Sequence, residues 1–178
     1  IDSVQNLTSI LNDFLSLSKL EEGKVEVKSD HFDLAQWAQE LTDQMQDIAK
    51  KGQKINYNHI GKKHAVSVDK NVLQNIATNL LSNAIKYSKE DSDIWFTTDF
   101  RNQHFEIKVK DEGIGIPETE QQHLFERFFR ANNATNIQGT GLGLHIVKKY
   151  AELLDGSVTF TSEVGQGTEF IVTIPQSY

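Results

Sequence analysis

The 178-residue chain has no cysteine. That excludes disulfides and thiolate metal sites. No apolar stretch approaches the ~20 residues needed to cross a bilayer, and no basic start followed by an apolar run marks a signal peptide. A basic surplus is missing too: 18 Lys plus Arg stand against 25 Asp plus Glu, for a formal net charge of −7. Broad binding to nucleic acid or to anionic lipid wants a basic face and is not expected. No repeat or low-complexity tract appears. None of the six histidines (His31, His59, His64, His104, His123, His145) pairs at metal-ligand spacing with a third donor nearby. No Ser or Cys nucleophile signature is present, so triad chemistry and metal hydrolysis fall away. The first residue is Ile1, not Met, and the expectation is a piece of something longer. What remains is enough for one sizeable core, since a chain of ~150 residues hides roughly 70% of its unfolded surface.

Val4, Leu7, Leu11 and Phe14 are spaced by three, four and three, the seam pattern of a helix running to about residue 22. Gly23 is its stop. Such a helix either packs on its own domain or is the stump of a dimer helix. A strand is expected at Val25–Lys28, then an amphipathic helix from Asp33 to Lys51 with Leu34, Trp37, Ala38, Leu41, Met45 and Ile48 on its apolar face. Strands follow at Lys54–His59 and His64–Val68. Asp69 caps a helix to Tyr87. Ile94–Phe100 and His104–Lys110 read as a hairpin turning at Arg101-Asn102-Gln103. Residues 111–143 form a long connection with a short helix near Glu118–Arg127 and a polar run from Asn132 to Gln138; connections of that length are usually functional or disordered. A helix over Leu142–Leu154 and strands at Ser157–Ser162 and Thr168–Ile174 close the chain. The order predicts an α+β, two-layer sandwich: a mixed, mainly antiparallel sheet of about five strands, with three helices on one face, preceded by an N-terminal helix.

Four clusters carry chemical promise. On the helix after Asp69, Asn79 and Asn83 share a face that Lys86 and Tyr87 continue. Asn is a poor helix former. An amide oxygen is a neutral ligand of the kind Mg²⁺ takes alongside water and phosphate, and Lys86 adds a point charge; a solvated face is the plain alternative. Asp111-Glu112-Gly113-Ile114-Gly115-Ile116 ends a strand with an acid able to accept from an amine such as adenine's, and with glycines that let backbone approach a flat ligand. Alone, a Gly-rich turn with a surface acid explains it better. Gly139-Thr140-Gly141-Leu142-Gly143-Leu144 opens a helix with N–H groups and dipole set for an anion, or else is a flexible hinge. It matches neither the P-loop nor the dinucleotide fingerprint. Phe125-Glu126-Arg127-Phe128-Phe129-Arg130 suggests a plug docking on the body or a minor apolar cluster, with Arg130 in reach of phosphate or a partner carboxylate. Gly165-Gln166-Gly167-Thr168 alone is a hairpin turn.

Taken together and in this order, the clusters resemble the catalytic, ATP-binding domain of sensor histidine kinases, in the ATPase superfamily shared with gyrase, the heat-shock ninety chaperone and MutL. Asn79–Tyr87 looks like the N box, Asp111–Ile116 the first glycine box and Phe125–Arg130 the F box. Gly139–Leu144 looks like the second glycine box and Gly165–Thr168 the third. The resemblance implies that Asn83 ligates Mg²⁺ beside Asn79, Lys86 and Arg130 meet phosphate, Tyr87 flanks the nucleotide and Asp111 reads the adenine amine. It further implies that Gly115 and Ile116 floor the pocket, that Gly141, Leu142, Gly143 and Leu144 offer N–H groups to phosphate, and that Thr168 lies at the adenine end. Gly113, Phe128, Gly139 and Thr140 complete the implied nucleotide contacts, and residues 117–140 are the ATP lid.

Residues 1–22 resemble the end of the second dimerisation helix, leaving 23–178 as the catalytic domain. The family's phosphoacceptor His is followed by an acid and a basic residue two further on; His31 precedes Phe32 and His145 precedes Ile146, so the acceptor is expected on a helix outside this sequence. Implied partners are ATP, that His-bearing helix in a homodimeric parent and a response regulator receiver domain, in the cytoplasm; anchoring of the parent in the inner membrane is a further implication of the resemblance. Neither nucleic acid nor membrane is an implied partner of this piece. The competing readings are an ATP-hydrolysing switch, a non-catalytic nucleotide-dependent binding module and an anti-sigma-type serine kinase. The first places a Glu where Asn79 stands, and an amide takes no proton from water.

Overall fold

Hydrophobic alternation along the central strands builds a sheet with one apolar face, and three helices cover it. The computed structural model describes residues 2–137 and 139–176; Gln138, the end of the polar run, and the chain-terminal residues of the two expected domains lie outside them. The elements are α1 (Asp2–Glu21), β1 (Asp30–Asp33), α2 (Leu34–Gln46), β2 (Lys54–Ile60), β3 (Ala65–Val68), α3 (Lys70–Tyr87), β4 (Asp93–Arg101), β5 (His104–Asp111), α4 (Gly143–Leu153), β6 (Ser157–Glu163) and β7 (Gly167–Pro175).

Five strands pair in the order β2-β4-β5-β7-β6. β2 and β4 run parallel; the other pairs among the described residues are antiparallel. Register aligns the apolar positions across the sheet. Phe96 faces Val109, Val109 faces Phe170 and Phe170 faces Phe160. Phe96, Phe105, Ile107, Val109 and Val172 are buried together with Leu34 and Trp37 of α2, Leu73, Ile76 and Leu80 of α3, and Ile146 and Val147 of α4. This is the two-layer α+β sandwich the pattern predicts. At roughly 2 kcal/mol for each large apolar side chain removed from water, that core supplies the main drive to fold.

The local signals account for the helix ends. Asp33 caps α2, accepting from Gln36 N–H at 2.9 Å, and Asp69 caps α3, accepting from Val72 N–H at 3.0 Å. Four details differ from expectation. The extended stretch Val25–Lys28 pairs with nothing in the sheet; the strand is β1, five residues on, which forms a separate antiparallel ribbon with β3. Lys28 N–H instead serves the second oxygen of Asp69, at 2.9 Å. Next, α2 stops at Gln46 rather than Lys51, and Ile48 is exposed. Glutamine side chains take over there: Gln46 bonds Gln53 O and Ile55 N, and Gln53 accepts from Lys50 N–H. The β4–β5 turn is only two residues, Asn102 and Gln103, because the ladder extends through the Arg101–His104 pair. Last, the short helix in the long connection is a 3₁₀ turn, Glu118–His123, followed by another at Asn132–Ala134.

The N-terminal helix packs differently from its seam. Leu17 is buried against the body, whereas Val4, Leu7, Leu11 and Phe14 are exposed. Most of the seam therefore does not hold α1 to this domain; of its four residues only the half-exposed Phe14 meets the body, at Phe128. No helix among the described residues is long and apolar enough to cross a membrane.

Candidate functional site

A cleft of about 490 Å³ opens between α3, the end of β5, the 112–142 connection and the start of α4, with α1 across one side. Its floor is Asp111, the last residue of β5, buried at 7% exposure. One carboxylate oxygen, Oδ1, accepts from Gly113 N–H at 2.8 Å and from Thr168 N–H at 3.3 Å. Burial nevertheless prevails, raising the pKa from 3.8 to about 6 against those two bonds. Oδ2 takes no hydrogen bond among the described residues.

The glycines are required by close approaches. A Cβ on Gly115, which has φ +69°, would stand 2.1 Å from Glu163 O, and one on Gly113 would stand 2.5 Å from Tyr87 O. Gly113 thus backs the floor rather than lining the cleft. Ile116 N–H is held by Ser162 Oγ at 2.8 Å, and that hydroxyl meets Thr168 Oγ1 at 2.7 Å.

Along α3, Asn79, Asn83, Lys86 and Tyr87 all line the cleft. The apolar positions of the same helix, Leu73, Ile76 and Leu80, turn into the core. Asn79 Nδ2 donates to Asn75 O at 2.9 Å, while its Oδ1 faces Gly143, whose added Cβ would lie 3.1 Å away. Burial lowers the pKa of Lys86; Asp13 opposes the shift and Arg130 adds to it. Burial raises that of Tyr87, with Arg130 opposing.

Opposite α3, the Gly139–Gly143 turn leads into α4. Gly141, at φ +74°, packs so tightly on Phe128 that a Cβ would sit 2.6–2.9 Å from its backbone. Gly139, Thr140, Gly141, Gly143 and Leu144 line the cleft; Leu142 is instead fully buried in the core. The first N–H groups of a helix have no intrahelical partner, so this end of α4 turns N–H groups and the positive end of its dipole toward the cleft.

The 125–130 segment divides its duties. Phe125 packs edge-on against Phe160 and Phe170, with centroids 5.7 and 6.4 Å away, as a plug on the sheet. Its carbonyl accepts from His145 Nδ1 at 3.0 Å. Phe128 departs from the expected nucleotide contact. It is 58% exposed, at φ +60°, and faces Phe14 of α1 at 6.2 Å. Phe129 lines the cleft in its place. Arg130 also lines it: one guanidinium nitrogen donates to Ala134 O at 3.0 Å, and the buried Nε has no partner.

Sequence reasoning missed the contribution of α1, whose Thr8, Ser9, Asn12 and Asp13 join the lining. It also missed Asn133, which donates to Gly115 O at 3.0 Å, and Gln121, which bonds Ile116 O and Ser162 O. No local signal marks these, since their bonds span 5 to 41 residues. Among the described residues no three His, Cys, Asp or Glu side chains cluster as a metal site.

A buried acid at a strand end, an amide stripe and a glycine-opened helix terminus, all on one side of an α+β sandwich, define a nucleotide-type cleft. Over residues 68–178 the chain matches the family described as histidine kinase-, DNA gyrase B- and HSP90-like ATPase, and it belongs to that family. The chain is 34% identical to the circadian input-output histidine kinase CikA of Synechococcus elongatus, over 98% of its own length and 24% of the relative's. It spans 21–29% of the length of the first curated relatives it matches. A full-length ShkA structure in complex with AMPPNP superposes with a TM-score of 0.86 at 26% identity, over 99% of this chain and 37% of that one. The nucleotide-free catalytic domain of the histidine kinase ThkA gives 0.73 at 27%, over 85% and 97%.

Proposed function

We propose that the chain is the ATP-binding catalytic domain of a two-component sensor histidine kinase. It passes the γ-phosphoryl group of ATP to a histidine on a dimerisation helix outside this chain, for relay to a response regulator receiver domain. The observation that carries this is the pairing, across one cleft, of buried Asp111 with the glycine-opened terminus of α4. An adenine amine donates to Asp111 Oδ2. Guanine puts a carbonyl oxygen there and is repelled. The phosphates then reach Lys86, Arg130 and the N–H groups that begin α4. Phosphoryl transfer rests on such positioning and charge neutralisation.

Mg²⁺ fits the donor set. Asn79 and Asn83 present neutral amide groups beside the anion site, and Mg²⁺ bound with phosphate oxygens and water needs only one or two protein ligands. Bound there, it supplies charge neutralisation on the phosphates. Asn83 is its ligand, with Asn79 beside it. An amide at Asn79 accepts no proton from an attacking water, which disfavours simple hydrolysis. Residues 117–140 are the lid over the nucleotide, residues 1–22 the end of a dimerisation helix and residues 23–178 the catalytic domain of a homodimeric, cytoplasm-facing parent.

Calorimetric titration with a non-hydrolysable ATP analogue, with and without Mg²⁺ and against the GTP analogue, tests the cleft. Mg²⁺-assisted binding of the ATP analogue alone is expected, and equal binding of both nucleotides would refute it. A His-bearing dimerisation helix supplied in trans should then become phosphorylated, whereas the chain alone should not label itself.

A further inference from the structure

Asp13 and Thr140 are 127 residues apart in sequence, yet Thr140 Oγ1 donates to Asp13 Oδ2 at 3.0 Å. The same hydroxyl accepts from Leu142 N–H at 3.2 Å. A relay therefore runs from the start of α4 through Thr140 to a carboxylate on α1. Lys86 acts on that carboxylate through space. Burial raises the pKa of Asp13, opposed by the Thr140 bond and then by Lys86. Two further contacts seat α1 here: Phe14 faces Phe128, and Glu21 pairs with Arg127. The hydroxyl that serves the start of α4 thus already holds an anion of the chain's own, close enough to Lys86 to feel its charge.

We propose that Asp13 is an internal competitor for the phosphate subsite: docked α1 places its carboxylate where a nucleotide phosphate binds, and phosphate displaces it. This rests on the nucleotide reading of the cleft. The physical ground is simple. A hydroxyl has one proton, so Thr140 cannot donate to Asp13 and to phosphate together. Two anions at one partly desolvated cation also repel. Phosphate binding and α1 docking oppose each other, and by linkage each weakens the other by the same factor. The adenine end is untouched, because the hydrogen bonds of Asp111 and Thr168 run to Gly113, to Ser162 and to each other rather than to α1.

The test compares wild type with Asp13→Asn and Asp13→Ala. Each is titrated with a non-hydrolysable ATP analogue, with and without Mg²⁺, and with adenosine, which has the base and no phosphate. Both substitutions should tighten the ATP analogue at least threefold and leave adenosine unchanged. In the wild type, amide hydrogen exchange of α1 should speed up with the ATP analogue and not with adenosine. Unchanged or weaker analogue binding overturns the inference. So does weakening seen only with Mg²⁺, which would make Asp13 a metal ligand. Loss of adenosine binding in both variants would give Asp13 a merely structural role, overturning it too. If the wild type binds neither ligand, the nucleotide reading falls and this inference with it. If all three proteins bind both ligands alike, only the inference falls.

Discussion

Asp111 and Thr168 stand opposite each other on the β5–β7 ladder, and the Thr168 N–H reaches across to Asp111 Oδ1 at 3.3 Å. The native pKa of about 6 lies above the unfolded value near 3.8, so the native state binds this proton more tightly. The associated stability is present below pH 3.8 and lost as pH rises through about 6. Above that, the buried charge costs on the order of 3 kcal/mol before relaxation. Asp111→Asn keeps an oxygen for the two N–H groups and carries no charge. In urea unfolding it should be about 1–2 kcal/mol more stable than wild type at pH 8, and the gap should close by pH 4. In the same variant, affinity for an ATP analogue should drop at least tenfold, worth about 1.4 kcal/mol. Wild-type affinity should fall as pH drops below about 6. A flat affinity profile between pH 5 and 8 would contradict the adenine-reading role.

Gly141 and Gly165 have similar backbone angles, φ +74° and +80°, in different surroundings. A Cβ on Gly165 meets nothing within 4 Å, whereas one on Gly141 collides with the Phe128 backbone. Gly165→Ala should cost about 1 kcal/mol from the left-handed conformation alone, with nucleotide affinity kept. Gly141→Ala must move the 125–130 segment or the start of α4. Thermal unfolding should report more than 2 kcal/mol lost, and calorimetry at least a tenfold loss of ATP-analogue affinity.

Gln53 is buried at 3% exposure, and its Nε2 lies 3.1–3.2 Å from the carbonyls of Ile85, Ser88 and Lys89. It closes the C-terminal end of the helix that carries Lys86 and Tyr87. Gln53→Leu leaves those carbonyls and Lys50 N–H without this partner. A loss of about 1–3 kcal/mol in denaturant unfolding is expected, with weaker nucleotide binding because the Lys86 end frays.

Much of this was legible in the sequence, because the signals that set it are local. The Asp69 cap, the Asn79–Asn83 spacing and the apolar period of the same helix fix where α3 begins and which face it buries. The glycine pairs mark the places where backbones touch. What stayed hidden depends on contacts between distant segments. Nothing near Val25 says that the ribbon partner of β3 begins at Asp30. Adjacent Phe128 and Phe129 look equivalent, and only the left-handed backbone at Phe128 sends one ring to α1 while the other lines the cleft. Asp13 reads as one more polar position on an N-terminal helix until Thr140 is brought beside it.

Asn83→Ala separates metal from nucleotide. With EDTA, the variant and wild type should bind the ATP analogue alike. Adding Mg²⁺ should tighten the wild type and not the variant, a difference of about tenfold or 1.4 kcal/mol. An equal Mg²⁺ response in both proteins would remove Asn83 as the ligand.

The strand order has a consequence for a chain leaving the ribosome. Asp111 emerges 57 residues before Thr168, and β7 must enter between β5 and β6 before the floor of the cleft has its second wall. The helix that opens the anion site also emerges late, well after the amide stripe on α3. Long-range pairings of this kind form slowly and last. A partly made chain therefore holds the α3 stripe without the rest of the site. On the proposed nucleotide reading, the cleft can grip its ligand only once β7 has docked beside β5, so nucleotide capture reports closure of this sheet.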